Sequence, residues 1–216
     1  MTPNKKFTNL EITELLRDVA ASCQPQGKKI DDINYSLVNS VKSSVNKVFN
    51  GLEIDILPDG SCPIPLKGFD YLDFALVSIH SSFSLSEGQM TRRVIDALSW
   101  HSKVLIFAHP TTRKLNEREG VELDWPKIFD FCLKNNKLLE INADPMRFDL
   151  PDFLVKRAVK VGVKLSLGSD SHDKAMMQNM VYGVSVARRG WCEKENVVNC
   201  LSLREFEKML KEGENL

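Results

Sequence analysis

Three of the four histidines, His80, His109 and His172, stand just after short apolar runs that read as β-strands. Carboxylates accompany them at equivalent places: Glu53 inside an earlier run, Asp144 after Asn142, and Asp170 two residues before His172. Neutral imidazole with carboxylate is a donor set for zinc, manganese or iron. The five cysteines, Cys23, Cys62, Cys132, Cys192 and Cys200, contain no Cys-x-x-Cys pair, which argues against a thiolate zinc site and against a disulfide framework. The chemistry expected is therefore that of a catalytic divalent metal. One such histidine alone would read as a hydrogen-bonded, partly buried residue, and repetition at strand ends is what turns the argument. His101, in Trp100-His101-Ser102-Lys103, precedes its strand and reads as structural.

Glu53 interrupts the apolar run Leu52–Leu57, where a carboxylate is costly to bury unless paired or metal-bound. Asp55 has the same parity and is either a second group for the site or the polar side of a half-exposed strand. In Leu167-Gly168-Ser169-Asp170-Ser171-His172 a glycine permits close backbone approach next to a carboxylate and an imidazole; a turn closed by an Asx hydrogen bond is the competing reading. Arg113, Lys114, Arg147 and the pair Arg188-Arg189 fall near the same strand ends. Guanidinium binds phosphate oxygens in a bidentate way, so a phosphate ester fits beside the metal, although each of these residues also reads as a solvated surface charge.

The elements that must position these residues follow from periodicity. Leu10–Ala21 reads as an amphipathic helix with Thr8 as its N-cap, Gln24–Lys29 as a linker, and about Ile30–Phe49 as a second helix stopped by Asn50-Gly51. Beyond Gly51, strand-like runs at Leu52–Leu57, Phe74–Ile79, Val104–Ala108, Leu138–Ile141 and Val163–Leu167 alternate with helical segments at Glu87–Ser99, Trp125–Lys134 and Leu150–Val161. A helix over Ser202–Lys211 closes the chain. Runs apolar on both faces suit parallel strands, so the class is α/β, as a barrel or a doubly wound sheet. Metal-ligand types at the C-terminal ends of successive runs favour barrel-like convergence on one rim.

The bounds agree with one main domain. The chain has 216 residues, 43% hydrophobic and 27% charged, and its 29 basic and 29 acidic residues cancel, so no overall field recruits nucleic acid or an anionic membrane. No apolar run approaches a membrane span and the first residues lack a signal-peptide core, so the expected location is the cytoplasm.

The segments Gly51–Gly60, Ser78–Ser81, Ala108–Thr111, Glu140–Ala143 and Ser169–His172, with Tyr182–Trp191, resemble consecutive motifs of PHP (polymerase and histidinol phosphatase) domains. The resemblance is to the C-terminal PHP domain of bacterial family-X DNA polymerases and runs from about Ile30 to the C-terminus. Glu11–Ala20 is similar to the start of those polymerases. The implied fold is an incomplete, distorted (β/α)7 TIM-like barrel lacking the first two β-α units, with residues 1–27 as N-terminal helix and linker and 28–216 as the truncated domain. The implied cofactor is a divalent metal, Zn, Mn or Fe. Glu53 matches the bridging carboxylate, His80 and His109 ligands of one metal, and Asp170 and His172 ligands shared with others. Arg113 or Arg147 would neutralise phosphoryl charge, and the implied substrates are phosphomonoesters or DNA 3′ ends. The family's opening His-x-His motif has no counterpart, since no histidine precedes His80. Two further expectations follow from that departure: an inactive remnant that binds metal or serves as an interaction fragment, and an open barrel edge through which copies self-associate.

Overall fold

Five short segments, each with an apolar face turned to the core, pair with one another in sequence as a parallel sheet. In the computed structural model, which describes residues 47–213, the strands are β1 (Gly51–Asp55), β2 (Phe74–Ser78), β3 (Val104–Phe107), β4 (Leu138–Asn142) and β5 (Leu165–Gly168). The helix expected over Leu10–Ala21 and the linker after it lie outside the described residues, as does all of the second helix except its last three positions. Residues 47–50 belong to no regular element, and Gly51 opens β1 where a helix stop was expected.

Four helices follow the later strands. They are α1 (Glu87–Leu98), α2 (Trp125–Lys134), α3 (Asp152–Val161) and α4 (Met180–Arg189). Local chemistry fixes their ends. Ser86 and Gln89 form a reciprocal capping box on α1, and the Asp124 side chain accepts from the Lys127 amide at the start of α2. Gly162 ends α3 in the left-handed conformation that glycine adopts without strain. A last helix, α5 (Leu203–Gly213), closes the described chain.

The strand order β1-β2-β3-β4-β5 repeats the sequence order without reversal. A doubly wound sheet reverses direction at a switch point, and the described strands show no such reversal. The edge strands β1 and β5 do not pair with each other, so the described residues form an open five-stranded sheet.

Strand parity divides the core in two. Ile54, Val77, Phe107, Ile141 and Leu167 pack against Val94, Ile128, Leu154 and Val186 of α1 to α4. On the opposite face Phe74, Leu76, Ile106 and Leu138 pack against Leu203, Phe206, Met209 and Leu210 of α5. Glu53 lies in register with Leu76, Leu76 with Ile106, and Ile106 with Leu138. Glu53 and Asp55 thus point to the side away from α1 to α4, and so do Glu140 and Asn142, which share parity with Leu138.

The edge at β5 is covered. Leu165 bridges to Val197, and the Asn199 side-chain amide both donates to the Leu167 carbonyl (3.0 Å) and accepts from the Leu167 N–H (2.8 Å). These contacts take the place of a neighbouring strand at β5, and β1 is the other edge of the sheet.

Candidate metal centre

Glu53, His80 and His109 converge at the C-terminal ends of β1, β2 and β3. One donor atom from each falls within 4.8 Å of the other two, the one such group of three among the described residues. His109 Nε2 lies 2.9 Å from Glu53 Oε1 and 3.3 Å from His80 Nε2, and His80 Nε2 lies 4.0 Å from Glu53 Oε1. Zinc–nitrogen and zinc–oxygen bonds of about 2.0–2.1 Å in tetrahedral array put ligand atoms roughly 3.3 Å apart. The three separations bracket that figure, so the residues fit one first-row divalent ion. His109 and Glu53 are well enclosed, with side chains 1% and 12% exposed, whereas His80 at 41% faces solvent and leaves an open approach.

Two of the three residues are held by a second layer. Asp55 Oδ1 lies 2.5 Å from His80 Nδ1, on the ring nitrogen opposite the cluster. This is the carboxylate–histidine arrangement that fixes the tautomer and orientation of a metal ligand. The His109 backbone has φ of +30°, uncommon for a residue other than glycine, and its N–H donates to buried Glu140 (2.6 Å). The backbone turn at the end of β3 is thereby tied to β4, and it aims the imidazole at Glu53.

Burial opposes a charge on His109, yet the hydrogen bond and charge of Glu53, with Glu140 assisting and Arg147 opposing, raise its pKa above the ordinary imidazole value. His109 Nδ1 is buried and has no hydrogen-bond partner among the described residues.

Asp170 and His172 do not belong to the three-residue cluster. Asp170, with φ of +53°, accepts from the Asn142 amide (2.9 Å), and the Arg147 Nε lies 3.4 Å from its carboxylate. His172 is exposed, and its Nδ1 approaches the Asp170 carbonyl at 2.9 Å.

Arg113 braces the neighbouring loop. Its Nε donates to the Arg147 carbonyl (2.8 Å) and its Nη2 to the Phe148 carbonyl, so two faces of the guanidinium brace a loop. The Arg147 charge opposes protonation of His109, and its buried Nη1 has no hydrogen-bond partner among the described residues.

Residues that sequence reasoning passed over complete the rim. Asp149, wholly buried, accepts from the Thr111 N–H with both carboxylate oxygens (3.1 and 3.0 Å). Burial pushes its pKa up to about 6, against the pull of the His109 charge and of the Thr111 hydrogen bonds. Arg118 donates to the Thr112 carbonyl through Nε (3.0 Å) and Nη2 (2.6 Å) and lies 4.0 Å above the Phe83 ring. Glu140 carried a legible signal, a carboxylate within an apolar strand, of the same kind as Glu53. His101 stacks on Phe69 at 4.1 Å, at the opposite end of the sheet, as its position before β3 implies. Cys132 is core, as its apolar run suggests, and burial pushes its thiol up to about 12.

An α/β sheet with a nitrogen and oxygen donor cluster on its C-terminal rim is the class of protein defined so far. Over 195 residues the chain is 36% identical to the DNA polymerase/3′-5′ exonuclease PolX of Bacillus subtilis, a match covering 90% of this chain and 33% of that protein. It is also 28% identical over 137 residues to a probable phosphatase of Caldicellulosiruptor saccharolyticus, covering 59% of this chain and 54% of that protein. The chain thus spans about a third of the length of one curated relative and about half of the other. No family model matches it. Among the described residues no helix is long and apolar enough to cross a membrane.

Proposed function

We propose that the chain is a PHP-type domain that binds a divalent metal through Glu53, His80 and His109 and hydrolyses phosphate esters. The observation that carries this is the convergence of those three donors, from three successive strand ends, at spacings that suit one ion. Similarity to a polymerase with exonuclease activity and to a probable phosphatase supports phosphate esters, DNA 3′ ends among them, as the substrate class.

A bound divalent ion supplies Lewis-acid polarisation of a phosphoryl oxygen. The Glu53 carboxylate offsets part of the ion's charge, and the two Nε2 atoms give neutral donors. Asp55 holds His80 in the tautomer that leaves Nε2 free to coordinate. Arg147, steadied by Asp170, adds positive charge beside His109 where a phosphoryl group would approach, while Arg113 keeps the Arg147–Phe148 loop in place.

One arrangement favours a second reading, a domain that binds metal without turnover. Asp170 is engaged by Asn142 and Arg147, outside the three-donor cluster. Metal stoichiometry of the purified chain, compared with Glu53→Ala and His109→Ala, together with manganese-dependent hydrolysis of a generic phosphodiester, tests both. Stoichiometric metal lost in both variants, with turnover in the parent, supports the phosphoesterase. Metal without turnover favours the second reading, and folded protein that retains no metal sinks the enzyme reading.

A further inference from the structure

Arg93, in the middle of α1, is 2% exposed, and a guanidinium so enclosed is costly unless its donors are satisfied. No carboxylate lies within ion-pair distance of it among the described residues. Its oxygen partners are three backbone carbonyls, and Nη1 also lies 3.9 Å from Met90 Sδ. Nε donates to Leu57 (2.8 Å), Nη1 to Ser81 (2.9 Å), and Nη2 to Ile56. Ile56 and Leu57 directly follow Asp55, and Ser81 directly follows His80. One rigid fork therefore grips both loops that leave the strand ends carrying the Asp55–His80 pair.

The surrounding structure strengthens the grip. The Ile56 N–H donates to the Ser78 carbonyl (2.8 Å), and the turn Leu57–Ser61 folds back on α1. Gly60, at φ of +86°, sits so near the helix that an added Cβ would come 2.9 Å from Asp96 Cβ and 3.2 Å from the Arg93 carbonyl. Burial lowers the Arg93 pKa, while Asp55 and Asp59 act in the other direction.

From this geometry we infer that Arg93 is a positioning residue for the metal centre, fixing the separation of the β1 and β2 ends so that Asp55 orients His80 and the His80 Nε2 meets the Glu53 carboxylate and the His109 Nε2. The inference rests on the metal reading proposed above. Lysine carries the same charge on a flexible stem and cannot hold three carbonyls in a planar fork, so Arg93→Lys separates geometry from charge.

The test uses Co(II) titration of the 216-residue chain, reading affinity and the ligand-field absorption of the bound ion. Thermal unfolding of the metal-free proteins runs in parallel. Arg93→Lys is expected to fold, to lose about 10- to 100-fold in Co(II) affinity, the usual scale for groups that orient ligands, and to shift the absorption bands. Leu98→Ala, a core truncation on the same helix away from these carbonyls, is the control for lost stability and is expected to bind Co(II) as the parent does. Parent-like affinity and bands in Arg93→Lys overturn the inference. So does an equal loss of affinity in Leu98→Ala, which would make α1 stability the cause. A parent chain that takes up no Co(II) is a distinct outcome, removing the metal reading and this inference with it.

Discussion

His80 Nδ1 lies 2.5 Å from Asp55 Oδ1 while the other ring nitrogen of His80, Nε2, lies 3.3 Å from His109 Nε2. The imidazole is thus gripped from one side and presented from the other. Asp55 gains its place from strand parity, two residues beyond Glu53 on the same face of β1.

Asp55→Asn keeps an oxygen near Nδ1 but removes its charge. The expected result is a loss of roughly 10- to 100-fold in metal affinity. The melting temperature of the metal-free protein should hardly change, because Asp55 is exposed. Calorimetric titration with Zn(II) measures the first and thermal denaturation the second. Undiminished affinity would reduce Asp55 to a surface carboxylate.

His109 carries the pH dependence. Burial acts against its protonated form, but Glu53 outweighs that effect and the folded-state pKa lies above the ordinary imidazole value. The metal-free protein then gains stability from the proton, fully present below the unfolded pKa and lost as pH rises through the folded one. Metal must displace the same proton, so apparent affinity is expected to climb with pH through the neutral range and level off only above the folded pKa. Glu53→Gln removes the charge that holds the proton. In this variant the stability gained on acidification through neutral pH should largely disappear from metal-free denaturant melts, and its persistence would contradict the assigned coupling.

Asp149 has the same sign in a lower pH window. Its carboxyl is pushed up to about 6 chiefly by burial, so between the unfolded value near 3.8 and the folded one the native state holds a proton that the unfolded chain has released. Stability falls through that window as pH rises, and above it ionised Asp149 costs on the order of 3 kcal/mol. Asp149→Asn resembles the protonated form and still offers an oxygen to the Thr111 amide. Its stability relative to the parent should therefore improve as pH rises from about 4 to about 7. A parent-minus-variant difference that stays constant across the window would show that the carboxyl titrates normally.

The strands were legible because their apolar runs are continuous and sharply bounded: β2, β3, β4 and β5 fall within two residues of the segments read from sequence. α1, α2 and α3 were equally plain from periodicity. Glu53, His80 and His109 could be grouped because they are polar exceptions at strand ends, and parallel strands bring such ends together. The bonds of Arg113 could not be read, since a guanidinium near a rim looks the same whether it faces phosphate or clasps its neighbours' carbonyls. Arg93 gave no signal either, because a lone arginine in an amphipathic helix reads as a solvated charge. The cover on β5 was hidden as well, since it comes from a bridge at Val197 and the Asn199 side-chain amide, both outside any strand.

Gly190 shows a packing demand that the sequence shows only as a turn. It follows α4 directly, with φ of −79°, so glycine is not needed for backbone reasons. The need is space, because a Cβ built there would lie 2.6 Å from Val155 Cβ and nearer still to its Cγ1, with the Asp152 carbonyl at 3.3 Å. Val155 is fully buried in the core beneath α3, so it cannot swing away. Gly190→Ala should cost about 1–3 kcal/mol in denaturant unfolding, the usual scale for overpacking. Val155→Ala alone is also destabilising, through the cavity it leaves. In the double variant the two should not add, because the new methyl enters the room vacated by the valine. Strict additivity would mean that α3 and α4 do not meet at this pair, and that the end of α4 is set by something other than the close approach of Gly190 to Val155.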